Sequence, residues 1–171
     1  KEFKTVYAMN KYACEQYLAM YHAAFGVNYL VLRLCLPYAS MLPGTGSYGT
    51  TEFFAARGRA GEDITIYGDG RQRRTLIHIE DLCDVLLQAG TYEGCKNDVF
   101  NIGGDADLSI REIAEAFAGI YGVSVVSVPW PDLAWRLESW DTVFDSGKLD
   151  ALIGSGYRHR FLEWAKQTVK Q

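Results

Sequence analysis

The sequence predicts an α/β fold, and three observations carry the prediction. Strand-length apolar runs alternate with helix-length segments along the whole chain, and no internal repeat or linker interrupts them. Glycines stand where the helical patterns stop. The first helix leads through a short turn into a continuous β-branched run, Val27 to Leu34, of the kind buried on both faces of a parallel sheet.

Taken in order, Thr5 to Phe25 (TVYAMNKYACEQYLAMYHAAF) lacks Pro and Gly, is rich in good helix formers and precedes Gly26, so it is a helix of about five turns. Apolar groups lie nearly all round it, among them Met9, Tyr12, Tyr17, Leu18, Met20 and Tyr21. More than one face is therefore expected to be covered, by a sheet and a second helix or by an oligomer interface. After the strand at Val27 to Leu34, the stretch from Cys35 to Gly49 holds two prolines and three glycines and reads as a long loop. It lies beyond the carboxyl end of that strand, where open α/β sheets bind ligands.

Thr50 to Ala60 is a helix closed by Gly61, and Ile64 to Gly70 is a short strand running into a D-G turn. Thr75 to Ile79 is a strand and Glu80 to about Ala89 a helix, whose opening carboxylates Glu80 and Asp81 oppose the helix dipole. Val99 to Gly104 is a strand ending in a double glycine. Ser109 with Glu112 forms a capping box that opens a helix to Tyr121, stopped at Gly122. SVVSVPW is a strand, and short helices near Lys148 and from Phe161 to Val169 complete the chain.

Composition bounds the function. The 171 residues, 49% hydrophobic and 22% charged, suffice for one ordinary domain with a small satellite and rule out a disordered chain. Seventeen basic against twenty-one acidic residues leave a net charge of -4, without the positive excess that a nucleic-acid partner requires. No apolar run reaches the roughly 18 to 20 residues of a membrane helix, and the first residues lack the layout of a leader, so a soluble, cytoplasmic protein is expected. Cys14, Cys35, Cys83 and Cys95 are scattered without a C-x-x-C or a neighbouring His pair. They are expected to be buried reduced thiols, with neither a structural metal nor a disulfide framework.

Tyr7 and Lys11 lie four apart on one helix face. An ammonium beside a phenol favours the phenolate, which suits a tyrosine to move protons near neutral pH. YAMNK resembles the Tyr-x-x-x-Lys motif of the extended short-chain dehydrogenase/reductase superfamily, specifically its NAD-dependent epimerases and dehydratases of nucleotide sugars. LVLRLCLPYAS is similar to the strand-and-loop signature close to RxxNVYGP, and ITIYGDGRQRRTLIHIEDL is similar to GDGxQxRDFIHVDDL. FNIGG, SIREIAEAF and DSGKLDALIG resemble the elements that follow, so the likeness runs in order along nearly the whole chain.

The resemblance implies that Tyr7 is the acid/base that exchanges a proton with a sugar hydroxyl, and that Lys11 bonds the nicotinamide ribose and tunes Tyr7. Tyr38 takes the Tyr position of the loop signature, on the cofactor side. Arg74 fills the position of the arginine that grips the substrate diphosphate, a task for which a planar forked cation is suited. Ile66 and Tyr67 lie by the nucleobase, and Leu36 is a substrate-side residue. Arg71 and Arg73 are read as solvated turn residues, His78 as a packed strand histidine, and Trp130, Trp135, Trp140 and Trp164 as core or interface residues rather than a stacking platform.

The resemblance also implies an architecture: the C-terminal part of a Rossmann-type parallel sheet plus a small α/β substrate-binding lobe. Residues 1–50 belong to the first and 51–171 mainly to the second, with about 75–104 returning to the sheet. Three departures from the pattern stand out. Leu36 replaces an Asn that would bond the ligand and Ala39 a Gly; Thr75 replaces the Asp after the arginine; and the 171 residues contain no G-x-x-G-x-x-G to hold the dinucleotide pyrophosphate. The expectation is the catalytic Tyr/Lys and substrate half of an NAD-dependent enzyme, inactive alone and homodimeric through helix 5–25. A module that binds a nucleotide sugar or a protein without redox chemistry is the competing reading, and NAD affinity separates the two.

Overall fold

The computed structural model describes residues 3–39, 49–154 and 156–168, with Thr168 described by its backbone only. Helix α1 (Val6–Phe25) starts where the Thr5 hydroxyl accepts the amide of Ala8 at 3.1 Å and ends at Gly26, whose φ of +67° closes the last turn. One stripe of it, Ala8, Tyr12, Glu15, Ala19 and His22, is half-buried; none of its residues is buried. Val6, Tyr7, Met9, Tyr17, Met20 and Phe25 stand in solvent, so the expected cover on several faces is not supplied by the described residues.

Strand β1 (Leu30–Arg33) is shorter than its apolar run and half-buried throughout, not buried on both faces, because it has a single partner among the described residues, the parallel β5 (Asp98–Asn101). The expected loop at Cys35 to Gly49 begins instead with strand β2 (Leu36–Tyr38), parallel to β4 (Arg73–His78). Pro37 is tolerated there because β2 is a sheet edge. Residues 40–48 of that loop lie outside the described residues. On its other side β4 pairs antiparallel with β6 (Ala106–Ser109), and β3 (Ile64–Tyr67) pairs parallel with β7 (Val125–Val128). The helices are α2 (Thr50–Arg59), α3 (Ile79–Thr91), α4 (Ile110–Tyr121), α5 (Asp132–Leu137), α6 (Gly147–Ile153) and α7 (Phe161–Thr168). The capping box at Ser109 and Glu112 forms as read from the sequence.

Two apolar cores result. One gathers Phe54, Ile64, Ile66, Leu76, Phe117 and Phe161 between β3, β4, α2, α4 and α7. The other gathers Ile77, Val85, Phe100, Ile102 and Leu149 between β4, β5, α3 and α6. Successive residues of a strand point to opposite faces, so Leu76 and Ile77 of β4 serve one core each. The double glycine after β5 has a steric reason: a Cβ at Gly104 would collide with the Leu76 carbonyl oxygen, which accepts the neighbouring Asp105 amide at 2.9 Å. Of the thiols expected to be buried, only Cys35 and Cys95 are; Cys14 and Cys83 lie on exposed helix faces. Cys35 donates to the Gly103 carbonyl at 3.1 Å, and burial pushes its pKa up to about 12, which makes it an inert packing group.

Candidate functional site

A cleft of about 520 Å³ opens between the start of α2, the end of β3, the start of α4 and the segment from Trp130 to Ser139. Phe54, Ile66 and Ile110 reach it from the first core, Tyr67 and Trp130 wall it, and Arg74 and Glu138 supply charge. The D-G turn after β3 shapes one edge. Gly68 has φ +62°, and a Cβ there would fall 2.5 Å from the Trp130 Nε1, so only glycine lets the indole close against the turn. Tyr67 and Trp130 rings then meet at 5.1 Å.

Trp130 also contacts Trp135 at 5.8 Å and Trp140 at 6.2 Å, and Trp135 meets Trp140 edge-to-face at 4.6 Å. Trp130 lines the cleft, and Trp135 and Trp140 are exposed beside it, so of these three, expected at core or interface positions, none lies in a core. Trp164 packs against the first core as expected. The regular spacing of Trp130, Trp135 and Trp140 is the sequence signal that could have marked them as one patch. Trp140 has φ +59°, a left-handed backbone that a bulky residue adopts only under constraint.

The constraint is Arg74. Its Nη2 donates to Glu138 Oε1 at 2.9 Å, and its Nη1 donates to the carbonyls of Arg73 and Trp140. Glu138 Oε1 also accepts the Trp140 amide at 3.0 Å. Both charged side chains are mostly enclosed, 18% and 15% exposed, so the pair is better shielded than a surface ion pair. The carboxylate missing at Thr75 is thus replaced from a segment 64 residues away. Thr75 itself donates to Asp107 and accepts the Phe144 amide at 2.9 Å. Arg71 is a solvated turn residue as expected, paired with Asp69, whereas Arg73 is exposed but opens strand β4 and donates to the Asp107 carbonyl at 2.7 Å.

Tyr7 and Lys11 meet on α1, with the ammonium 5.5 Å from the Tyr7 ring centroid and the phenol 72% exposed. The start of their helix is tied to the cleft rim by Lys4, whose Nζ donates to the Glu138 carbonyl at 3.0 Å. Farther along, Arg33 grips Glu15 bidentately at 2.7 and 2.6 Å, a hydrogen bond that raises the guanidinium pKa against the cost of burial. The structure therefore groups Tyr7 with Lys11 and Arg74 with Ile66 and Tyr67. It sets Leu36 half-buried against the first core and Tyr38 wholly inside that core. Tyr38 touches the rings of His78, Phe161 and Trp164, and its hydroxyl donates to Asp105 at 3.1 Å; burial drives its pKa strongly up.

His78 is buried at the start of α3, where its Nδ1 accepts the Glu80 amide at 3.2 Å as an N-cap. His78, Glu80 and His159 bring possible metal-ligand atoms within 4.8 Å of one another. The two imidazoles, however, are stacked at 3.8 Å and 15°, so their in-plane lone pairs run side by side instead of converging on one ion. His159 commits its nitrogens to Asp81 at 3.0 Å and Glu80 at 3.2 Å. Among the described residues no helix is long and apolar enough to cross a membrane.

Comparison with known proteins bears on the same residues. The model of the NAD dependent epimerase/dehydratase family matches residues 2–103. A UDP-glucose 4-epimerase of Mycolicibacterium smegmatis is 30% identical over 116 residues, which are 68% of this chain and 37% of that protein. Among solved structures, the UDP-glucose 4-epimerase of Thermotoga maritima with UDP-glucose superposes with a TM-score of 0.81 at 26% identity, covering 99% of this chain and 57% of that one. That of Thermus thermophilus, in complex with NAD, gives 0.82 at 26% identity, over 98% and 53%. The chain spans roughly half the length of these two structures and less of its curated relative. With the Tyr-x-x-x-Lys helix, the GDG turn and the arginine after it all inside the matched region, the chain belongs to the NAD-dependent epimerase/dehydratase family of the extended short-chain dehydrogenases/reductases.

Proposed function

We propose that this chain is the Tyr/Lys-bearing and substrate-binding portion of a nucleotide-sugar epimerase or dehydratase. Residues 1–50 form the end of its Rossmann-type part and 51–171 mainly its substrate lobe, with about 75–104 returning to the sheet. Tyr7 moves a proton to or from a sugar hydroxyl, and Lys11 holds the nicotinamide ribose and favours the phenolate. Arg74 takes the diphosphate through its fork of N–H donors, and Ile66 and Tyr67 border the nucleobase with Trp130. Leu36 gives an apolar surface in place of an amide, whereas Tyr38, expected on the cofactor side, is enclosed in the first core with its hydroxyl on Asp105 and offers a cofactor no exposed surface.

NAD, when bound, accepts and returns the hydride. The residues of this chain fit one part of it: Lys11 suits the ribose, whereas the 171 residues offer no Gly-rich turn for the pyrophosphate. The isolated chain is accordingly proposed to bind the nucleotide sugar, to lack NAD affinity and to be inactive alone. Its exposed α1 face is proposed to join two copies.

The observation that carries the reading is the chain of contacts from Lys4 through Glu138 to Arg74, which brings the helix of Tyr7 to the rim of the cleft. Titration calorimetry with UDP-glucose and with dTDP-glucose tests it. Binding of at least one of them without NAD is expected, weakened about tenfold or more by Arg74→Met and little changed by Arg71→Met. Binding of neither, or indifference to Arg74→Met, overturns the assignment. Measurable NAD affinity of the chain alone would overturn the proposed division of labour.

A further inference from the structure

We propose that Lys4 is a second phosphate-binding cation of the cleft, delivered from the start of the helix that carries Tyr7; this rests on the reading of Arg74 as the diphosphate ligand. The need for a second cation follows from charge. A nucleoside diphosphate brings at least two negative charges, whereas Arg74 is already matched by Glu138 at 2.9 Å, so the edge it offers is close to neutral. The nearby arginines do not make up the difference. Arg71 is paired with Asp69, and Arg73 keeps its charge but is bonded to the carbonyl of Asp107, a residue that does not line the cleft.

Lys4 bonds the same residue, Glu138, through a different atom. Its Nζ donates to the backbone carbonyl of Glu138 at 3.0 Å, while the Glu138 carboxylate holds Arg74. A carbonyl is a neutral acceptor, so this contact leaves the lysine's full charge at the rim, with two further N–H donors on the ammonium. Lys4 is exposed, so its long stem can swing toward an incoming phosphate without breaking any packing. It stands one residue before the Thr5 cap of α1 and three before Tyr7. Pairing of Lys4 with the phosphate therefore also draws the Tyr7 end of a helix that no buried residue anchors toward the cleft.

Quenching of the cleft tryptophans during titration with UDP, dTDP and the matching monophosphates UMP and dTMP tests the proposal, comparing the wild-type chain with Lys4→Met, Lys4→Arg and Arg74→Met. For whichever diphosphate binds the wild type, Lys4→Met is expected to weaken binding about fivefold at low salt, with Lys4→Arg restoring it. The effect on the monophosphate should be smaller, and the difference between wild type and Lys4→Met should fade at 1 M salt, where the Debye length is about 3 Å. If Arg74→Met weakens diphosphate binding and Lys4→Met does not, Lys4 is excluded while the Arg74 site stands. If neither substitution matters, or the wild type binds neither diphosphate, the Arg74 reading falls and Lys4 with it.

Discussion

His78 does three jobs with one ring: it caps α3, stacks on His159 and packs edge-on against Tyr38. Burial is the main reason its imidazolium is disfavoured, and the neighbouring His159 adds to it, so its pKa lies below the ordinary histidine value. The unfolded chain therefore takes up the proton first as pH falls through about 6.5, and stability drops from there downward. Asp81 acts lower on the scale. Burial alone would raise its pKa, but hydrogen bonds from the His159 amide and ring and from the Arg158 backbone outweigh burial and hold it below the usual carboxylate range. Its contribution is complete above about 4 and is lost as pH falls through its folded value. Urea denaturation at pH 7.5 and pH 5.5 should accordingly show lower stability at the acid value. His78→Asn, which keeps a capping acceptor, should shrink that difference; an equal difference in the variant would clear His78. That His78 is a packed residue is legible in the sequence, because no ligand partner stands near it in the chain. Its partner His159 lies 81 residues on, and nothing local announces the stack.

Among the elements, those with local signals are the ones the sequence makes legible. Thr5 and Gly26 bound α1, Ser109, Glu112 and Gly122 bound α4, and each acts within a few residues of itself. Strands β2 and β6 are three and four residues long and exist through β4, whose register with β6 spans Arg73↔Ser109 to Leu76↔Ala106. Pairings of that kind have no short-range signature. Glu138 escaped for the same reason, since its meaning depends on Arg74 in a distant strand. Helix α1 is the reverse case: its bounds are legible and its surroundings are not. Its half-buried stripe follows the i, i+3, i+4 spacing of a single contact face, while Val6, Met9, Tyr17, Met20, Tyr21 and Phe25 leave a broad apolar surface in solvent. A second copy is the expected cover. Light scattering across a concentration series should show a dimer that Met20→Glu with Phe25→Glu returns to monomer. A wild-type chain that stays monomeric throughout would sink the idea.

At the scale of the molecule, the two cores meet on one strand, and this decides how the chain unfolds. Leu76 and Ile77 are both fully buried, one in each core, and the backbone between them carries parallel pairing to β2 on one side and antiparallel pairing to β6 on the other. The second core cannot loosen around Ile77 without disturbing the register that holds Leu76. Asp81 adds a second tie: it accepts the His159 amide at 3.0 Å, two residues before Phe161 enters the first core, from a helix whose Leu82 and Val85 belong to the second. All four tryptophans lie on the first-core side, three about the cleft and Trp164 in the packing. Tryptophan fluorescence therefore follows one core, while far-UV circular dichroism follows both. The expected result is a single cooperative transition with coincident midpoints by the two probes. Ile77→Ala removes side-chain volume from the second core alone and should cost about 3 kcal/mol. Through the shared strand, that loss should move the fluorescence midpoint as far as the circular dichroism midpoint. A fluorescence transition that stays at its wild-type position in Ile77→Ala would mean that the cores unfold independently, and that β4 joins them in space without coupling them in energy.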